Sequence, residues 1–206
     1  MKNLVRILFL LAATGILVYA GFNYFGKESA SPGALQTAGL TNFYPDKKEA
    51  LVSHSAIHLS YNEETEQANW VAYLLTADAL EHPATERKNR FKADPEVKTG
   101  SAHPDDYRKS GYDRGHLAPA ADMLASEDIM LESFYMSNMS PQHPSFNRGD
   151  WRKLENRVRE WALLHDSLVV VTGPHFEETV ERIGENEVAV PSHYFKVVLD
   201  ISAQGG

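Results

Sequence analysis

The chain is 206 residues long, 43% hydrophobic and free of cysteine, which suits one domain with a sizeable core and excludes a disulfide framework or thiolate metal sites. Its net charge of −8 argues against a protein that grips polyanions through a general excess of Lys and Arg. The charges are segregated, however. Residues 147–159 carry Arg148, Arg152, Lys153, Arg157 and Arg159 against Asp150 and Glu155, whereas residues 177–187 carry Glu177, Glu178, Glu181, Glu185 and Glu187 against Arg182.

In chain order, Lys2 and Arg6 precede an uncharged run from Ile7 to Phe25. The pattern reads as an export signal, either cleaved after Ala20 or retained as a single membrane anchor, over residues 1–25. Residues 26–43, rich in Gly and Ser, read as a flexible linker, with the folded domain over 44–206. Ile57 to Tyr61 alternates with period two and Trp70 to Leu75 is β-rich, predicting an antiparallel hairpin with a long loop from Asn62 to Asn69. His54 and His58 have no acid or cysteine at metal spacing and read as structural or surface histidines. Arg87, Lys88, Arg90 and Lys92 surround Phe91 in a basic turn, and Gly100 to Gly111 reads as a loop.

Residues 112–123, Tyr-Asp-Arg-Gly-His-Leu-Ala-Pro-Ala-Ala-Asp-Met, crowd an acid, a guanidinium, a glycine and an imidazole into a stretch that no core-packing pattern explains. Phosphodiester hydrolysis needs a base, a cation for the phosphorane's charge and usually a metal; His116 and Arg114 supply two of these, and Gly115 allows close approach. Ser126 followed by Glu127 and Asp128 predicts a capped short helix to about Glu132. Phe134 to Met136 then reads as a strand. From Asn147, itself a plausible N-cap, Trp151, Leu154, Val158 and Trp161 recur at helical spacing and predict a helix to about His165. Leu168 to Gly173 and His193 to Ile201 predict two more strands.

Asp113-Arg114-Gly115-His116 with Leu-Ala-Pro-Ala-Ala-Asp-Met resembles the signature of the DNA/RNA non-specific endonucleases, the ββα-metal or His-Me finger enzymes. Ser137-Asn138-Met139-Ser140-Pro141-Gln142 and Phe146-Asn147-Arg148-Gly149-Asp150-Trp151, followed by Leu154-Glu155, resemble the second half of the pattern. The resemblance implies an α+β fold with a mainly antiparallel central sheet flanked by helices. It implies one divalent ion, Mg²⁺ with Mn²⁺ as an alternative, held by Asn147 and a shell of waters. His116 would deprotonate water, and Glu155 would orient a water of the ion's shell. Arg114 with Arg87 or Arg90 and Arg159 would balance phosphate charge, while Asp113 and Asn138 organise the site. Glu155 and Arg159, one turn apart, could instead simply pair with each other, and Asp122 could be a helix cap.

The expected substrate is DNA, RNA or both, cut to 5′-phosphate products with weak sequence preference. Relatives of this kind usually continue past the strand at 193–201, so the C-terminus is expected to be short for the family and to leave a strand edge uncovered. No HExxH or tight His/Asp cluster supports a zinc hydrolase, and no G-x-S-x-G supports a serine hydrolase. A membrane-tethered binding module that keeps the fold without catalysis is the alternative from another class.

Overall fold

The computed structural model of the chain describes residues 4–11, 16–23, 40–45 and 50–201. Within the apolar N-terminal run, β1 (Leu4–Leu11) and β2 (Ile16–Asn23) pair antiparallel with each other; the expected cleavage position after Ala20 falls in β2, and most of the expected linker lies outside the described residues. No helix among the described residues is long and apolar enough to cross a membrane. The linker was expected to reach residue 43, but Leu40–Phe43 forms a 3-10 turn and Leu40 is buried against Trp70, Ala72, Val169 and Val171.

Period-two alternation builds the centre of the molecule. β3 (Leu51–Ser53), β4 (Ile57–Asn62) and β5 (Gln67–Thr76) form an antiparallel meander, with the β4–β5 connection shortened to residues 63–66 because pairing extends to Asn62 and Gln67. Helix α1 (Ala77–Glu81) follows, capped by Thr76. β6 (Asp113–His116) and β7 (Met139–Gln142) pair with each other apart from the main sheet, and α2 (Glu127–Glu132) lies between them with Ser126 accepting from the Ile129 amide.

After β7 come the short α3 (Pro144–Phe146), a π turn over Asn147–Trp151 and α4 (Arg152–His165). β8 (Ser167–His175), the two-residue strands β9 (Arg182–Ile183) and β10 (Val188–Ala189), and β11 (His193–Asp200) complete the order. The main sheet runs β11-β8-β5-β4-β3, each pair antiparallel.

The alternation gives the sheet two apolar faces. Leu59, Tyr61, Val71, Tyr73, Leu75, Leu168, Val170, Tyr194 and Val198 meet Trp151, Leu154, Val158 and Ala162 from the helical layer. Trp70, Ala72, Val169 and Val171 pack on the other side with Leu40. Each fully buried large side chain in such a core contributes about 1.5–3 kcal/mol. The helix stripe ends on Ala162 rather than the expected Trp161, which is only partly buried. Trp151, Leu154 and Val158 keep their expected places, and Trp161 still packs against the same core from the edge of the stripe.

Phe134–Met136 is not the expected strand. Met136–Asn138 is a 3-10 turn, and Tyr135 makes only a single bridge to Lys92. Phe134 is instead fully buried with Ala120 and Met130. The β9–β10 hairpin inside the acidic stretch was not foreseen; two-residue strands carry too little alternation to register.

Candidate active site

The site is built on the β6–β7 pair and the helical layer that follows, an order of two strands and a helix. β6 alternates: Asp113 faces Asn147 and Arg148, while Arg114 and His116 meet the aromatic residues Phe91 and Phe134. Those two rings form a shared floor. Phe91 and Phe134 meet edge-on at 5.0 Å, His116 stands edge-on to Phe134 at 4.9 Å, the Arg114 guanidinium lies 4.6 Å over Phe91 and the Arg87 guanidinium 5.5 Å over Phe134. One aromatic pair thereby gathers an imidazole and two cations.

His116 is 9% exposed, and its Nε2 is buried with no hydrogen-bond partner. Burial, reinforced by the Arg87 charge, pushes the imidazole down to about 3, so it stands as the free base at neutral pH. A buried nitrogen without a partner is costly to charge, which agrees with the free-base state of the ring.

Asn147 is not the expected N-cap. It sits at the C-terminal end of α3, whose cap is His143, accepting from the Ser145 amide. Its Nδ2 donates to Asp113 Oδ2 at 2.9 Å, which leaves Oδ1 as the free donor atom. Asp113 also takes a bidentate ion pair from Arg148, and that guanidinium, with Asn147's amide, holds its carboxyl below the usual range. Among the described residues no three His, Cys, Asp or Glu side chains cluster as a metal cage. The donor chemistry at Asn147, a single neutral amide oxygen, fits a hard cation that keeps most of its own waters.

Glu155, in the first turn of α4, does not form the local pair with Arg159. Arg159 Nη1 donates to Asp122 Oδ1 at 2.7 Å and Nη2 to Asn156. Asp122, read as a possible cap, caps nothing: its other oxygen accepts from the buried Tyr73 hydroxyl at 2.7 Å. Glu155 is left without a hydrogen-bonded cation, and burial raises its carboxyl above the usual range while the Lys196 charge opposes the rise. Lys196 was missed in the sequence. Its signal was available: between Tyr194 and Val198 it falls on the inward face of β11, and it is 2% exposed.

Of the two candidate phosphate arginines, Arg87 is brought to His116 and Glu155, its charge acting on both. Arg90 is not; it lines an adjoining groove with Lys88, Lys92 and Phe91. Asn138 is a buried clamp. Its Oδ1 accepts from the Ala118 amide at 2.9 Å, and its Nδ2 donates to the Ala118 and Ser133 carbonyls at 2.9 and 2.8 Å. Gly115 does not open a path for phosphate: a side chain there would collide with Gln142, which packs against it. His54, read as structural, is so: its Nε2 bonds Asp94 at 2.8 Å, and Ser137 donates to the same carboxylate.

This fold and site, a five-stranded antiparallel sheet carrying a ββα unit with a histidine ending its first strand, define the ββα-metal class. The model of the DNA/RNA non-specific endonuclease family matches residues 38–206, and the chain belongs to that family. It is 39% identical over 152 residues to the mitochondrial nuclease EXOG of Danio rerio, covering 68% of this chain and 44% of that one. It is 37% identical over 167 residues to mitochondrial endonuclease G of Homo sapiens, covering 76% and 56%. The chain thus spans about half the length of these relatives. Among solved structures, the crystal structure of an EndoG/EndoGI complex is similar at 35% identity and a TM-score of 0.75, covering 85% of this chain and 76% of that one.

Proposed function

We propose that the chain is a metal-dependent endonuclease that hydrolyses phosphodiester bonds of DNA, RNA or both and leaves 5′-phosphates. The observation that carries this is the free-base imidazole of His116 gathered with Arg114 and Arg87 on the rings of Phe91 and Phe134. The relatives' names, which include nuclease and endonuclease, support it.

In this reading the His116 imidazole accepts the proton of the attacking water. Its value in the free protein is low for a base, but the negative charge of a bound phosphodiester raises it toward neutrality, where proton transfer is efficient. Arg114 and Arg87 receive the phosphate, held over Phe91 and Phe134 so that little side-chain freedom is lost on binding. Asn147 Oδ1 would hold a divalent ion, Mg²⁺ or Mn²⁺, which supplies charge for the scissile phosphate and the leaving 3′ oxygen. Glu155 accepts hydrogen bonds from water beside that position. Arg159 acts one step back, holding Asp122 and adding positive charge near Glu155.

The experiment is digestion of plasmid DNA and of RNA by the full chain with Mg²⁺, with chelator, and with His116→Ala. Metal-dependent cleavage that falls by about 10²- to 10⁴-fold in the variant, with ligation-competent 5′ ends and unchanged metal affinity, is the expected outcome. Binding of DNA without cleavage by the wild-type chain overturns the enzyme and leaves a nuclease-fold binding module.

We also propose that Ile7 to Phe25 directs export. A mature N-terminus at Gly21, or full-length protein in the membrane fraction, is the expected result of fractionation and N-terminal sequencing. Full-length protein confined to the soluble cytoplasm overturns it.

A further inference from the structure

The register of β6 against β7 decides which of its main-chain groups need partners from elsewhere. Along an antiparallel pair, opposite residues alternate between those that exchange hydrogen bonds and those whose amide and carbonyl point away from the partner strand. The Leu117 amide donates to Asn138 O at 3.0 Å, and the residue before it, His116, stands opposite Met139. His116 therefore turns its own amide and carbonyl away from β7, and among the described residues no third strand joins that pair. A side chain supplies the missing partner of the carbonyl: Trp151 Nε1 donates to His116 O at 3.2 Å.

Trp151 reaches that carbonyl from the other half of the site, since it closes the π turn that opens on Asn147. The indole is 1% exposed and is held by Phe146 at 5.4 Å and Tyr194 at 5.6 Å. Tyr194 in turn stacks on Phe146 at 5.6 Å and donates to Pro141 O of β7 at 2.7 Å. Rings packed in this way leave the N–H one direction to point, and it points at the main chain of His116.

A phenylalanine would fill much of the same core; what the indole adds is a donor, and a buried donor left unpaired is costly. We propose that Trp151 is a positioning residue of the nuclease site: its Nε1 hydrogen bond fixes the main chain of His116 against the turn that carries Asn147, so that the base and the residue facing the cation keep one spacing. The buried indole touches neither the attacking water nor the phosphate. Its role rests on the reading of His116 and Asn147 given above.

The test is a double-mutant cycle on the full chain with Trp151→Phe, His116→Ala and the two combined. It measures kcat and KM for plasmid cleavage at saturating Mg²⁺, beside thermal melting, with Trp161→Phe as a second loss of an indole from the same helix. Trp151→Phe should lower kcat by about 10- to 100-fold, the scale of a small misplacement of a reacting group, and leave KM near its wild-type value. Trp161→Phe, whose ring only packs at the edge of the core, should keep wild-type kcat. In the His116→Ala background Trp151→Phe should cost nothing further, because the residue it places is gone. Wild-type kcat in Trp151→Phe, an equal loss in Trp161→Phe, or a loss that recurs in full on His116→Ala overturns the inference while leaving the nuclease reading intact. Wild-type chain that cleaves nothing overturns that reading and this inference together. If Trp151→Phe fails to fold, site-specific replacement of Trp151 by benzothienylalanine keeps the bicyclic shape and removes only the N–H. It should show the same loss in kcat and the same non-additivity, and wild-type kcat there overturns the inference equally.

Discussion

Asp113 decides what Asn147 can do. An asparagine amide offers both a donor and an acceptor, and with Nδ2 committed to Asp113 Oδ2 only the oxygen is left to face a cation. Asn147→Ala should abolish measurable Mg²⁺ binding, whereas Asp113→Ala, which frees the amide to turn, should weaken it by about 10- to 100-fold. Calorimetric titration checks both, and an unchanged affinity in Asn147→Ala would reduce that residue to a packing role. At this scale the sequence showed the residues that sit in short local motifs, His116, Arg114 and Asn147 among them. It did not show Asp122 or Lys196 because each is defined by partners far along the chain: Asp122 by Tyr73 and Arg159, Lys196 by Leu117, Thr172 and Glu155. A lysine on an inward-facing strand position was a signal of burial, but nothing local named the carboxylate that compensates it.

The turn leaving β6 is fixed by Asn138, whose side chain imitates a paired strand residue by meeting both polar groups of Ala118. Replacing it with alanine removes three hydrogen bonds and strands the Ala118 amide and the Ala118 and Ser133 carbonyls, all in residues with no exposed surface. Asn138→Ala should cost about 2–4 kcal/mol in chemical denaturation, with activity lowered through the misplaced turn and Mg²⁺ affinity nearly unchanged. A cost below 1 kcal/mol, with the residue order-of-magnitude set by one ordinary bond, would show that water replaces the clamp. Elements with many periods of alternation, β5, β8, β11 and α4, were legible from spacing alone. Phe134 to Met136 was misread because three apolar residues fit a strand and a buried turn equally, and spacing alone did not separate Ala162, fully buried, from Trp161 at the edge of the same stripe.

At the scale of the whole molecule, the basic stretch beside the motif proves to be largely paired: Arg148 with Asp113, Lys153 with Asp150, Arg157 with Glu160 and Arg159 with Asp122. The sequence showed the charges but not their partners. Among the described residues, the cations beside the site that have no carboxylate partner are instead Arg90 and Lys92, in the groove next to Phe91 where Lys88 is paired with Glu127. Arg90→Gln should therefore weaken DNA binding and reduce the salt dependence by about one phosphate contact, while Arg157→Gln leaves both unchanged in a titration at several salt concentrations. Stability against acid is a second property of the whole fold. The His116 imidazole titrates at 6.5 when unfolded and near 3 when folded, so below 6.5 the unfolded chain binds a proton that the folded chain refuses, and stability falls with pH. His58, also lowered by burial, acts in the same direction; Glu155, raised by burial, acts in the opposite one as pH falls toward its unfolded value. Comparing wild type with His116→Asn removes these shared contributions. The wild type should lose about 2 kcal/mol more than the variant between pH 7 and pH 5, read by urea denaturation without metal. Parallel losses in the two proteins would mean that His116 is solvated in the folded chain, and its reading as a buried free base would fail.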